Sequence, residues 1–502
     1  MEDIHIVPNR NLHGVHLDGL ASPRPTPPRR LRPPDRSRSV TTMLADRRGR
    51  VRVRLHSEAD RVVRYPFVRG HALQRSNPLD YCDPWIWIGE DTMYTRREIM
   101  KRAATIPLVL TATTVLAAEE SMKDRIARTI REYSEQGIHR SGTDGDLENA
   151  TWLSGRIRSL GLEPELDAFP FKRVRPLVCT LAIDGKTVEA IPLYDCTYTD
   201  GDGISGRLGE IGSDADIGVV SAFPMASSPG GRLLDKARRE DQHKAIVVLT
   251  DEGMPPGISI TNAEDFNSPF GPPTVQASNA DARWIRSAVA SGTEARVVAQ
   301  CDYVDAKGIN VGTTIRGKSP NLAPLVVMTP RSGWWSCASE RGGGIAAWLE
   351  MTRAISRSGA DREVIFTANT GHELGHIGLD HYLGSHEALI KEAHMWIHLG
   401  ANFAAAVSPG VGVQSSDEQA RKLMFGVLSQ QDLEPDGETE PGQRPLGEAR
   451  NIYDGAGRYV SVLGRNGLFH HPSDIWPDPV DLEKTTRWVA AFTEIALRLS
   501  GP

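Results

Sequence analysis

Only five of the 502 residues are cysteine, and no two of them stand as Cys-x-x-Cys. A structural zinc knuckle therefore has no support. A basic stripe is missing as well. The net charge is -6, and it is uneven: residues 1–100 carry 18 Lys+Arg against 12 Asp+Glu, while the remainder carries 40 against 52. A chain whose larger part is acidic lacks the electrostatic footprint of a nucleic-acid binder. Nor is there an apolar run long enough for a comfortable membrane span. What is left, 24% charged and 39% hydrophobic, is globular composition with length for two or three domains and a buried core.

The first ninety residues differ in texture. "ASPRPTPPRRLRPPDRSRS" is rich in Pro and Arg and cannot bury enough apolar surface to fold, so residues 1–92 read as disordered or as a mis-extended upstream segment. Residues 93–118 then run from a start-like Met93 through the twin arginines Arg96 and Arg97 into an apolar stretch and a small-residue exit near Ala117. That order resembles a twin-arginine export signal. It places the mature protein in the periplasm or outside the cell, without a membrane span, where a disulfide among Cys179, Cys196 and Cys301 is permitted.

Beyond residue 119 the pattern is α/β. Ser121 with Asp124 opens a helix in the manner of a capping box, and Ala150, Leu153, Ile157 and Leu160 share a helical face that Gly161 ends. From 168 to 305, short β-branched runs such as "IGVVSAF" and "KAIVVLT" alternate with Gly/Pro-rich turns, the texture of an inserted β-rich domain. Strand–helix alternation then resumes. Strands are expected at 322–328, 363–369 and 395–399, a helix at 343–355, and an amphipathic helix at the C-terminus. Such alternation implies a mainly parallel sheet flanked by helices, with functional groups on the loops after Met328, Asn369 and Leu399.

One of those loops reads "GHELGHIG". It contains His-Glu-x-x-His, with His372 and His376 one helical turn apart and Glu373 between them. Three glycines interleave the motif, each costing about 1 kcal/mol in a helix interior, and no third ligand follows at the protease spacing. A zinc-protease helix is not expected there.

A second likeness uses more of the chain. "GTDGDLENATWLSGRIRSLGLE", the β-rich insert, "NVGTTIRGKSPNLAPLVVM", "EVIFTANTGHELGHIGLDHYL" and "FHHPSDIWPDPVD" occur in an order that resembles the zinc aminopeptidase family of bacterial leucyl aminopeptidases, carboxypeptidase Q and glutaminyl cyclase. The resemblance spans residues 119–502, with 168–305 similar to a protease-associated insert. It implies a peptidase-like α/β domain from 119–167 and 306–502, a central mixed sheet flanked by helices. It also implies a site that in the family holds two zinc ions through a His, a bridging Asp, a Glu, an Asp and a late His, beside a Glu base. Here the first stretch is Thr329-Pro330-Arg331-Ser332, without its His. The bridging stretch "CASERGGG" places Ser339 at the Asp, with Glu340 beside it. The Glu-Glu pair becomes His372-Glu373, and the later Asp position holds Gly400, with His398 two residues before it. The late His survives as His470, with Asp474 behind it in the family's frame.

So altered a set leaves no carboxylate bridge for two metals. One zinc at most is expected, on Glu373, His470 and His372. Three functions remain open for a peptide or small-molecule partner. The first is an exported amide hydrolase with a reduced metal site, His372 or Glu373 handling the proton. The second is a metal-free hydrolase with Ser339 or Cys337 as nucleophile and His372 or His470 as base. The third is a non-catalytic binding protein. Arg331, Glu340 and Arg341 are candidate substrate-binding groups in all three, the two arginines as stand-ins for a cation. Cys337 also reads simply as a small buried hydrophobe, and "RGGGIAAW" as a helix start whose glycines allow close strand approach.

Overall fold

A computed structural model describes residues 120–501, together with two short antiparallel strand pairs nearer the N-terminus: β1 (Thr42–Ala45) with β2 (Val51–Arg54), and β3 (Ile86–Trp87) with β4 (Met93–Tyr94). The Pro/Arg-rich stretch and the twin-arginine segment from residue 95 onward lie outside the described residues. The main sheet lies within the described residues 120–501.

These residues open with α1 (Met122–Glu135), where Ser121 Oγ accepts the Asp124 amide at 3.1 Å and returns a bond to the Asp124 carboxylate. Helix α2 (Asp144–Ser159) buries Ala150, Leu153 and Ile157 on one side and gives way at Gly161, which is left-handed. Then come β5 (Glu165–Ile183), β6 (Lys186–Pro192), β7 (Ile204–Glu210), β8 (Ile217–Ala222), α3 (Pro229–Arg239), β9 (Ala245–Thr250), β10 (Thr274–Ala277), α4 (Ala282–Ser291) and β11 (Glu294–Ile315). The chain continues through β12 (Leu325–Pro330), α5 (Gly342–Ser358), β13 (Val364–Asn369), α6 (Ile377–Ser385), α7 (Glu387–Glu392), β14 (Met395–Leu399), β15 (Gly410–Ser415), α8 (Glu418–Gln430), β16 (Gly437–Thr439), α9 (Ala449–Asp454), β17 (Tyr459–Arg465) and α10 (Leu482–Ser500).

Thirteen strands form one sheet, in the order β16-β15-β17-β14-β12-β13-β11-β5-β6-β10-β9-β8-β7. Its first half is mixed: β12, β13, β14 and β17 run parallel, and β11 and β15 flank them antiparallel. The central parallel strands β12 and β14 are buried throughout, as a sheet covered on both faces requires. On one face α1, α5, α8 and α10 pack around Trp348, Ile397 and Phe492; on the other, α6 and α9 close over Met328, Trp396 and Tyr459.

The second half closes on itself. Strand β11 pairs with β7 through Glu294–Val297, completing a ring of β7, β8, β9, β10, β6, β5 and β11, with α3 and α4 packed on it. Two long strands belong to both halves. They pair from Glu165↔Gly312 to Ile183↔Ala295, interrupted by one irregularity at Gln300/Cys301. The sequence boundaries at 168 and 305 therefore fall inside a continuous ribbon, where Ala168 faces Ile309 and Asp305 faces Lys172. Polar residues on its exposed stretches interrupt the alternation that marks a strand, which hides its length in the sequence. Cys179, Cys196, Cys301 and Cys337 are all free thiols.

The parallel order puts the carboxyl ends of β12, β13 and β14 side by side, and α5 packs down onto them through glycine. A Cβ at Gly344 would stand 2.7 Å from Thr329 Oγ1 and 3.1 Å from the Leu399 carbonyl. Gly344→Ala should accordingly cost about 1–3 kcal/mol of stability. Gly426, exposed in α8 with nothing within 4 Å, should instead gain about 0.5–1 kcal/mol on change to Ala. Urea unfolding of both variants checks the pair; equal effects would mean that the close approach at Gly344 carries no constraint.

Candidate functional site

The loop after β13 settles the meaning of "GHELGHIG". His372–Leu374 is one 3₁₀ turn between Gly371 and Gly375, both left-handed, and His376 is left-handed too, with φ 68°. No α-helix carries the two histidines. Their rings stack at 4.7 Å, and each reaches toward α9: His372 Nδ1 lies 3.3 Å from Glu448 Oε1, and His376 Nδ1 lies 2.7 Å from Asn451 Oδ1. Glu373 turns to the other side.

There it enters a buried ionic cluster. Glu373 Oε2 accepts Ser332 Oγ at 2.6 Å, while Oε1 accepts Arg341 Nη2 at 2.8 Å. The same Nη2 stands 3.0 Å from Glu340 Oε1, and Arg341 Nε donates to the Ser332 carbonyl at 2.8 Å. His470 Nε2 lies 3.4 Å from Glu340 Oε1, and its backbone N–H reaches Glu340 Oε2 at 3.3 Å. All four side chains are at most 2% exposed. Burial works against the charge on Glu340, yet His470 and Arg341 outweigh it and hold that carboxyl at about 2.

The neighbours complete the geometry. Ser339 Oγ and N–H, with the Glu340 N–H, donate to Asp474 at 2.8–3.0 Å, and Asn466 donates to Ser339 Oγ at 3.0 Å. It is therefore Glu340, rather than Ser339, that faces His470 and Arg341. His470 Nδ1 sits 2.7 Å from the Ile260 carbonyl, which can only accept, so Nδ1 carries hydrogen and Nε2 is presented to Glu340. Ile260 comes from the ring half of the chain, and the same segment bonds back again through Ala263 N–H to the Glu373 carbonyl at 2.9 Å. No sequence signal marked this clamp, because the ring half contributes to it through backbone atoms.

Three further candidates have their side chains outside the cluster's hydrogen bonds. Arg331 pairs with Asp146 at 2.8 Å and donates to Asn149, tying α2 to the sheet. Cys337 is fully buried, and burial raises its thiol well above the ordinary range. His398 bonds Ser461 Oγ at 2.8 Å through Nδ1, and a Cβ on Gly400 would meet its ring at 2.8 Å. A carboxylate at 400 is thus incompatible with His398 as placed.

Among the described residues no three His, Cys, Asp or Glu side chains are arranged to hold a metal ion. The reason is visible in the donor set. Glu340 and Glu373 converge on one point, and that point is filled by a guanidinium nitrogen. A zinc ion does not fit these residues while Arg341 stays where it is.

No family model matches this sequence, and no curated protein matches it. Solved structures do share the fold. The zinc aminopeptidase BSAP of Bacillus subtilis is 16% identical with a TM-score of 0.61, over 74% of this chain and 94% of its own. An aminopeptidase from Aneurinibacillus sp. strain AM-1 is 17% identical with a TM-score of 0.54, over 75% and 93%. A peptidase M28 precursor from Shewanella amazonensis SB2B is 15% identical with a TM-score of 0.59, over 76% and 96%. The likeness is one of fold: a large mixed sheet flanked by helices, as in these aminopeptidases.

Beside the cluster, burial raises the Glu448 carboxyl to about 8 and that of Asp474 to about 7. Unfolded, Glu448 releases its proton near 4.5, so the folded state binds the extra proton between those values and loses stability as pH rises through them. The melting temperature should fall from pH 5 to 9, and Glu448→Gln should flatten that decline. A Glu448→Gln variant that tracks the wild type across the range would remove Glu448 as the cause.

Proposed function

We propose that this chain is a peptide-binding protein on an aminopeptidase scaffold, exported by the twin-arginine route, in which a fixed arginine occupies the place of a catalytic metal. One observation carries the reading: Arg341 Nη2 within 3.0 Å of both Glu340 and Glu373, in a fully buried setting. Removing one member of such a network leaves a bare buried charge, typically at a cost of about 3–5 kcal/mol, so the arginine does not leave readily to admit an ion.

Nucleophilic catalysis gains no support from the same geometry. Ser339 Oγ is bonded to Asp474 and Asn466 rather than to an imidazole, and a nucleophile needs a base within hydrogen-bond reach. A single-metal amide hydrolase is the second reading. It is favoured by the donor types gathered here, since Glu340, Glu373 and His470 would make a three-ligand site if Arg341 swung aside. The ring half, similar in sequence texture to a protease-associated insert, would in either case form one wall of the peptide site.

Elemental mass spectrometry on zinc-incubated full-length protein separates the two readings. The wild type should carry no stoichiometric zinc and leave aminoacyl-anilides and dipeptides intact. Arg341→Ala should take up about one zinc per chain and melt higher with zinc than without. One zinc in the wild type, with anilide cleavage lost in His470→Ala, would replace the binding protein by the hydrolase. Export is checked separately by sequencing the mature N-terminus, expected near Ala118.

A further inference from the structure

A cleft opens beside Glu373, between the two halves of the sheet, with a cavity volume of ≈ 80 Å³. Arg140, Arg173, Tyr194, Phe266 and Trp334 line it, with Ser141 at its edge. Its charge balance is unusual. Arg140 is held by neutral groups only: Nε donates to the Trp334 carbonyl at 3.1 Å, Nη1 to Tyr194 OH at 3.3 Å, and the guanidinium stands 4.9 Å from the Trp335 ring centroid. Arg173 is half-buried on β5. Its strand neighbours Lys172 and Arg175 are paired with Asp305 and Asp302, each at 2.6 Å, whereas among the described residues Arg173 has no ion pair, and neither has Arg140. The one carboxylate lining the cleft, Glu373, is already committed to Arg341 and Ser332. Two cations thus face a cleft that holds no uncommitted anion.

We propose that this cleft receives the terminal carboxylate of a peptide, gripped by Arg140 and Arg173. The assignment rests on the reading of the chain as a peptide-binding protein. A planar guanidinium matches a carboxylate in two-point geometry, and orientation by a carbonyl, a phenol and an indole face prepares Arg140 for it. Preorganisation of that kind lowers the ordering cost of binding. Trp334, Phe266 and Tyr194 are apolar surfaces next to the charges, suited to a last side chain. The volume is below the roughly 300–1,000 Å³ of a pocket that engulfs a whole small molecule. It suits the end of a chain whose remainder lies outside.

Isothermal titration of the full-length protein tests this with three probes: leucyl-alanine, leucyl-alanine amide and inorganic phosphate. The free acid should bind about tenfold or more tightly than the amide, the usual value of a charge-assisted pair. Arg173→Gln should erase that preference; being half-buried and unpaired, Arg173 can be changed without loss of fold, which an unaltered melting temperature would verify. Arg140→Gln gives a second measure, provided its melting temperature also holds. Equal binding of acid and amide, or a preference that survives Arg173→Gln, overturns the proposal. Phosphate binding as tightly as the acid and displacing it would overturn the peptide assignment in favour of an inorganic-anion site. Mass spectrometry of the recovered dipeptide keeps the readings distinct. Cleavage would sink the binding-protein function, while an acid-over-amide preference that depends on Arg173 would still locate the carboxylate here.

Discussion

The buried guanidinium of Arg341 ties together loops at the carboxyl ends of the sheet strands. It reaches the Ser332 carbonyl in the loop after β12, Glu373 in the loop after β13, and Glu340 immediately before α5. Glu340 in turn takes the backbone N–H of His470, whose own carbonyl accepts from Ile260 and from Trp335 Nε1. Two carboxylates this close and this deeply buried cannot both stay ionised without a cation between them. A metal ion and an arginine are alternative solutions to one electrostatic problem, and the second is covalently supplied by the chain.

The cation has a fixed position, and the surrounding histidines follow from it. His372, His376 and His398 are all pushed toward the neutral form, first by burial and then by neighbouring positive charge, with Arg341 acting on each. A neutral imidazole needs polar partners more than counter-ions, and the fold provides them in Glu448, Asn451 and Ser461. Glu448, kept protonated by its own burial, adds no charge that would draw a second cation inward.

Much of the scaffold was legible before any coordinates. The strands at 325–330, 364–369 and 395–399 and the helices at 122–135, 342–358 and 482–500 lie within a few residues of where periodicity and caps placed them, because their apolar positions are long, regular and buried. Of the glycines of "RGGGIAAW", Gly344 serves close strand approach, whereas Gly342 admits Ile130 and Gly343 admits Ala404. The long ribbon of β5 and β11 was not legible, since exposed polar stretches break the alternation along both strands. Within the site, Glu373, Arg341, Glu340 and His470 were singled out from sequence, and the structure brings them together. Their contacts were not readable, because residues 332 and 341, residue 373 and residue 470 come from three separate loops. Ser332, Asn466, Glu448 and Arg140 were missed for a different reason: each is an ordinary polar residue whose importance comes only from what faces it.

The buried polar positions around Arg341 also have a common logic when taken as a set. Relaxation toward a plain core would fill them with apolar side chains. Instead each acquires a partner from the protein itself: Arg331 has Asp146, Ser339 has Asp474 and Asn466, and Glu373 has Arg341 and Ser332. Several polar atoms are left over without a protein hydrogen bond, among them Arg341 Nη1, Glu340 Oε1, His470 Nε2, His398 Nε2 and Glu448 Oε2. Groups of this kind are costly when dry, and ordered water is the usual remedy at a polar interior site. The interior is therefore polar by construction and neutralised by construction, with the guanidinium of Arg341 as an internal cation between Glu340 and Glu373. A site maintained in that state preserves the loops that border the cleft, and so preserves the surface on which Arg140 and Arg173 are displayed.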